Sequence, residues 1–318
     1  MLAHYNYNNL SKEEKCAYKC VKRACVNLEK NLILPYCANI YKVIEAVRWD
    51  CPALFYINWL SFFTGVEFLS EAKIKIKIPY LYQRAEIKKL QAKIKQVVEQ
   101  FKGVKGEFSI ALKVHDYLAY RVKYDAKDAS FGGFKYRNHN VIGSLVGKSA
   151  VCESIARAYQ LLLNVLGVDC MTVVGKTKTN GVTDYGLHAW NVVCIANEYY
   201  HVDVTWDLAK EVCGDFRTNY AYFLIDDKTA ERDHQCKLKF KCSGKQYNIY
   251  SLSNRNFTTK AQLSKFLKRA KLRDNYFVNV KDIQTEVVNE CVCAVGTEKN
   301  VNTKWFIYDT GILYFQYF

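Results

Sequence analysis

Residues 147–168 read GKSAVCESIARAYQLLLNVLGV, followed by GLHAWNVV at 186–193 and YYHVDVTWD at 199–207. These three stretches decide the fold. The first reads as a loop running into a helix from Ser149 to about Leu166, stopped by Gly167, a residue that readily takes the left-handed conformation of a helix end. MTVVGK (171–176), HAWNVVCIA and YYHVDVTWD read as strands. Asn197-Glu198 fits a hairpin turn, which makes the last two antiparallel neighbours. A helix followed by antiparallel strands implies an α+β core.

With Ser149 as N-cap, Cys152 becomes the third helical residue. There, free backbone N–H groups and the helix dipole favour a thiolate and lower a thiol pKa, and Lys148 adds positive charge. His188 lies on the second strand stretch and Asp203 on the third. Two residues on one face of an antiparallel pair can be direct or diagonal neighbours, so Asp203 can orient the imidazole. His188 then takes the Cys152 proton and returns it to a leaving amine. This is a Cys-His-Asp relay, the thiol counterpart of the serine triad.

The three stretches resemble the signature segments of the transglutaminase-like superfamily, in its microbial branch of papain-fold thiol enzymes. The resemblance implies Cys152 as nucleophile, His188 as base and Asp203 as orienting acid. It also implies a Cys-bearing helix packed on an antiparallel sheet, with no cofactor. VHDYLAYRVKYD (114–125), and AYFLIDD (221–227) with His234 beyond it, resemble the family's flanking segments. One departure is Ser154-Ile155-Ala156, where many relatives carry Gly-Tyr-Ala; it changes side chains beside the nucleophile and so bears on substrate preference. The Cys152 N–H is one natural oxyanion donor, and Tyr124 and Asn140 are candidates for a second. His201, two residues before Asp203, is expected to be a partly exposed strand histidine or a support residue. His115 and His139 carry no specific signal.

Outward from this core, Ser11 and Glu14 form a capping-box pattern, and the residues from Ser11 to about Glu45 favour helices, two of them separated at Pro35. Cys16 and Cys20 share a helical face that Cys25 does not, against a three-cysteine metal cluster. The aromatic stretch from Trp49, WDCPALFYINWLSFF, reads as buried core. KIKIKI at 73–78 alternates strictly, a half-buried strand with a lysine outer face. Helices are expected over Arg84–Lys102 and near Glu107–Val122, a loop over 124–147, a basic helix over Thr258–Leu272, and short strands to the C-terminus. The expected organisation is a helical region at 1–105, a transglutaminase-like core at 106–253 and a small α+β appendage at 254–318.

Composition narrows the function classes. Of 318 residues, 50% are hydrophobic and 24% charged, which excludes pervasive disorder. Lys and Arg number 46 against 31 acidic residues, a net +15 that favours acidic partners. The basic residues are spread over many segments without a nucleic-acid module signature, so nucleic-acid binding is a minor alternative. No stretch is a membrane-span candidate; Pro52–Leu69 is interrupted by polar residues. The start, MLAHYNYNNLSKEEK, lacks the pattern of a secretory signal, and 13 irregularly spaced cysteines suit a reduced, cytoplasmic protein. Cys291 and Cys293, read as neighbours on a strand face, lack a second pair for zinc. Asp203, Asp207 and Asp215 lack a calcium-loop pattern, and Gly132-Gly133 alone does not make a phosphate loop. The expected function is thiol acyl transfer on peptide or glutamine-type amides of a protein substrate, as peptidase, deamidase or transglutaminase. The alternative is a non-catalytic relative that binds a partner.

Overall fold

A computed structural model describes residues 1–130, 135–178, 186–212, 215–218, 220–271, 275–280, 282–307 and 311–318. Gly132-Gly133 lies outside them, as does the side chain of Asp215. Among the described residues no helix is long and apolar enough to cross a membrane.

The centre is a five-stranded antiparallel sheet in the spatial order Phe223–Ile225, Glu198–Val202, Gly186–Ile195, Cys170–Thr177, His234–Gln235. The helix Cys152–Val165 lies across it with every residue from Ser154 to Leu163 buried. Asn191, from the middle strand, donates through Nδ2 to the Ala156 carbonyl at 2.9 Å. On its other side the helix meets Glu107–Arg121, whose Ala111 carbonyl accepts from the Tyr159 hydroxyl at 3.1 Å. This is the α+β core the sequence implies. The hairpin turn sits one residue earlier than expected, at Ala196-Asn197, both with positive φ (50° and 65°). That conformation matches the twist of the flanking strands.

The capping box at Ser11 and Glu14 opens a helix Lys12–Asn27. Pro35 does lie between two helices, Lys12–Asn27 and Ile40–Asp50, but a strand intervenes. Leu28 turns left-handed (φ 59°) and the chain enters a strand, Asn31–Pro35, whose Leu32 and Leu34 are buried. Pro35 can end it because the strand lies at a sheet edge, paired with Lys73–Lys77, which in turn pairs with Val66–Ser70. The lysine strand buries Ile74 and Ile76 as its alternation requires. The helix Ile40–Asp50 then brings Arg48 to the Cys-bearing helix, where its guanidinium meets Glu153 at 2.9 Å. One continuous set of buried apolar residues runs from Leu10 to Leu224; a second runs from Phe257 to Tyr317.

The C-terminal unit corrects one expectation. Cys291 and Cys293 lie on a helix, Thr285–Lys299, not on a strand. Its buried residues Val288, Cys291, Val292 and Val295 recur at three- and four-residue steps, which decides for a helix over the β-branched composition. Two residues apart on a helix point to opposite sides, so Cys291 is buried and Cys293 exposed. All described cysteines are free thiols.

Candidate active site

Lys123–Tyr124 pairs in parallel with Ser149–Ala150. That pairing moves the helix start from the expected Ser149 to Cys152, because Ser149 and Ala150 are held extended. Val151 becomes the N-cap, without a side-chain cap, and the Ser149 hydroxyl turns to Asp125 at 3.3 Å. Cys152 is thus the first helical residue. Its N–H and those of Glu153 and Ser154 have no carbonyl four residues back inside the helix. The same pairing sets Tyr124 at the helix mouth, near Cys152. Burial and the nearby sulfur hold that phenol well above its ordinary range. Asn140 is placed elsewhere: its Nδ2 donates to the Tyr136 carbonyl and its Oδ1 accepts from the Ile142 N–H, both at 2.9 Å.

His188 and Asp203 come together. The ladder ends at Asn191 and Val202, so Asp203 stands one step beyond it, opposite Trp190 and diagonal to His188. His188 Nε2 lies 2.6 Å from Asp203 Oδ2, which leaves Nδ1 free to face Cys152, a residue near enough to act on the charge of this ring. Burial alone would lower the His188 pKa. The Asp203 charge and hydrogen bond, with Cys152, outweigh it and raise the ring to about 10. Asp203 is likewise pushed up by burial but held far below the carboxylate range by His188 and His234. Its Oδ1 accepts the backbone N–H groups of Thr205 and Trp206 at 2.8 and 3.2 Å.

Ser154 does not face the cleft. It is fully buried, donates to the Asn140 carbonyl at 2.6 Å, shares a hydrogen bond with Ser144 Oγ at 2.8 Å and accepts the Ser144 N–H. It fastens the preceding loop to the helix, so the departure from Gly-Tyr-Ala is spent on the loop at this position.

Several residues without a sequence signal are built into the site. His115 is fully buried, with Nε2 3.1 Å from Asp207 Oδ2. This contact ties the turn after Asp203 to the helix Glu107–Arg121, and Asp207 also accepts the Tyr222 N–H. His201 is buried rather than partly exposed. Its Nδ1 accepts the Trp190 indole N–H at 3.0 Å and its Nε2 lies 2.9 Å from Asp227. His139 is half-buried beside Asp128. His234 places Nε2 3.0 Å from the Asp203 oxygen that His188 uses; in the sequence it stands out only as the histidine beyond AYFLIDD, with no role attached.

Among the described residues, two clusters have the side chains of a metal site, His188–Asp203–His234 and His201–Asp227–Cys242. In the first, ligand atoms 2.6 and 3.0 Å apart are closer than the roughly 3.3 Å between ligands arranged tetrahedrally at ~2.0 Å from zinc. These are proton-sharing distances. In the second, the indole N–H on Nδ1 fixes His201 as a neutral ring with its proton on Nε2, the nitrogen that faces Asp227 and would have to ligate. The donor sets as arranged do not fit a metal.

Residues 95–204 match the family model for the transglutaminase-like superfamily. A solved transglutaminase structure is similar at 13% identity and a TM-score of 0.34, over 57% of this chain and 52% of that one. A proposed cysteine protease from Cytophaga hutchinsonii is similar at 12% identity and a TM-score of 0.30, over 42% of this chain and 52% of that one. The chain therefore spans about half the length of each. No curated protein matches it.

Proposed function

Through residues 95–204 the chain belongs to the transglutaminase-like superfamily, and on that premise we propose that it is a thiol amidase or acyltransferase with Cys152 as nucleophile, His188 as general base and acid, and Asp203 as the orienting carboxylate. The observation that carries this reading is His188 Nε2 2.6 Å from Asp203 Oδ2, with Cys152 nearby as the first residue of a helix.

The Cys152 proton passes to His188, and the sulfur attacks the carbonyl carbon of a peptide or glutamine-type amide. The C=O electrons move onto oxygen. The Cys152 N–H and the Tyr124 hydroxyl are the donors for that oxyanion, and both are present before substrate arrives, as electrostatic stabilisation requires. Collapse expels the amine or ammonia, which takes the His188 proton. The thioester is then cleaved by water or by a second amine, with His188 again accepting a proton. Protein or peptide is the substrate class this chemistry takes.

The test is incubation with protein substrates and a primary-amine probe, followed by mass spectrometry. Cleavage, deamidation or amine incorporation, each lost in Cys152→Ala, is the expected result. No modification of any substrate, together with a Cys152 that iodoacetamide does not label preferentially, overturns the reading.

A further inference from the structure

Asp203 is shared by two imidazoles. His234, from the edge strand His234–Gln235, puts Nε2 3.0 Å from Asp203 Oδ2, and its Nδ1 lies 2.5 Å from Asp233 Oδ1. The other Asp233 oxygen accepts the Tyr222 hydroxyl. An ionised carboxylate only accepts, so a ring between two of them satisfies both contacts only when both of its nitrogens carry protons. The rest of its surroundings suit a cation: the rings of Trp206, Trp190 and Tyr222 lie 4.7, 4.9 and 5.1 Å from the His234 ring, centre to centre.

We propose that His234 is a positioning residue, a fixed imidazolium that clamps the Asp203 carboxylate so that the same oxygen stays aligned with His188. This rests on the thiol-enzyme reading above. His188 needs Asp203 at one angle; the Asp203 N–H donates to the Tyr222 carbonyl at 2.9 Å, which fixes the backbone but leaves the carboxylate free to turn about its side-chain bonds. The Thr205 and Trp206 N–H groups hold Oδ1, and His234 holds Oδ2, the oxygen that His188 also uses.

The other charged or titratable groups around the ring do not upset this assignment. His188 is centred 5.8 Å away, His201 lies behind Trp190, and Asp227, Glu231 and Lys241 line a cavity of about 470 Å³ that His234 also borders. Burial lowers the proton affinity of His234, and the hydrogen bonds to Asp203 and Asp233 more than restore it, leaving its pKa above the ordinary value.

The test pairs nitrogen-15 NMR of the wild-type histidines with iodoacetamide labelling of Cys152 in His234→Ala and His234→Gln. Both His234 nitrogens should be protonated across neutral pH. Labelling should slow by about tenfold or more in His234→Ala, by analogy with the loss of residues that orient metal ligands. His234→Gln, which keeps a donor, should recover part of the rate. The downfield His188–Asp203 proton should shift in the alanine variant and return in the glutamine variant, a signature that mere loss of packing does not produce. A neutral His234 ring in the wild type overturns the proposal even if neither variant folds. Unchanged labelling and an unchanged downfield proton in both folded variants also overturn it. A wild-type Cys152 that is not labelled preferentially sinks the thiol-enzyme reading instead, and the NMR result on His234 is read without it.

Discussion

Asp203 reaches His188 from beyond the end of their ladder: the last paired residues are Asn191 and Val202, yet Asp203 Oδ2 and His188 Nε2 are 2.6 Å apart. Four N–H groups converge on this carboxylate, two from imidazoles and two from backbone. Asparagine offers one acceptor oxygen and a donor in place of the second. Asp203→Asn should therefore slow turnover by about 100-fold or more, since the base loses its tautomer and its orientation. Turnover within threefold of wild type in the folded variant would remove Asp203 from the proposed relay.

Gly175 pairs with His188 across the sheet. A Cβ there would collide with the Gln235 carbonyl and stand 2.5 Å from the Trp190 indole. The backbone of the edge strand and a buried ring leave little room to move. Gly175→Ala should cost about 1–3 kcal/mol, the usual penalty of overpacking, read as a lowered urea midpoint. Because Trp190 stacks on His188 at 6.0 Å and 19°, Cys152 labelling should slow as well. Wild-type stability would mean the ring and strand rearrange freely.

Ser154→Ala strands the Ser144 N–H in the interior and takes one of two donors from the Asn140 carbonyl, which keeps the Gly143 N–H at 3.1 Å. The expected loss is about 1–3 kcal/mol, the cost of buried groups left without partners, seen in thermal or urea unfolding. The cleft-facing chemistry should change little. A large activity loss with unaltered stability would place Ser154 at the substrate instead.

Glu14 lies under the first turn of the helix Lys12–Asn27. The hydrogen bond from Lys42, then that from the Ser11 N–H, then Asn39, outweigh burial and lower its pKa to about 2. A carboxyl lowered on folding contributes stability that is present above its ordinary pKa of 4.5 and is lost as the pH falls towards about 2. Glutamine preserves the capping-box bond without the charge. Glu14→Gln should thus lower the urea midpoint at pH 7 and narrow its drop between pH 7 and pH 3. Parallel curves for the two proteins would contradict this.

Much of the architecture was legible because it rests on periodicity. The alternation of Lys73–Lys77, the capping box at Ser11 and the helix–strand–strand order after Gly147 each express a local rule. Expectations failed where a distant segment intervened. Ser149 caps no helix because Lys123–Tyr124 pairs with it, and Asn31–Pro35 is a strand because Lys73–Lys77 supplies its partner. The 285–299 helix was hidden by valines, whose β preference gave way to burial on one face.

The sequence by itself determined the α+β order of elements and which cysteine, histidine and aspartate to examine, since spacing and residue type are local properties. Only the tertiary structure decided that Tyr124 rather than Asn140 stands beside Cys152, that Ser154 faces inward, and that His234 shares Asp203 with His188. Each of those depends on chain segments far apart in sequence meeting in space, and the burial and hydrogen bonds that fix them exist only once the sheet, its edge strand and the helix have packed.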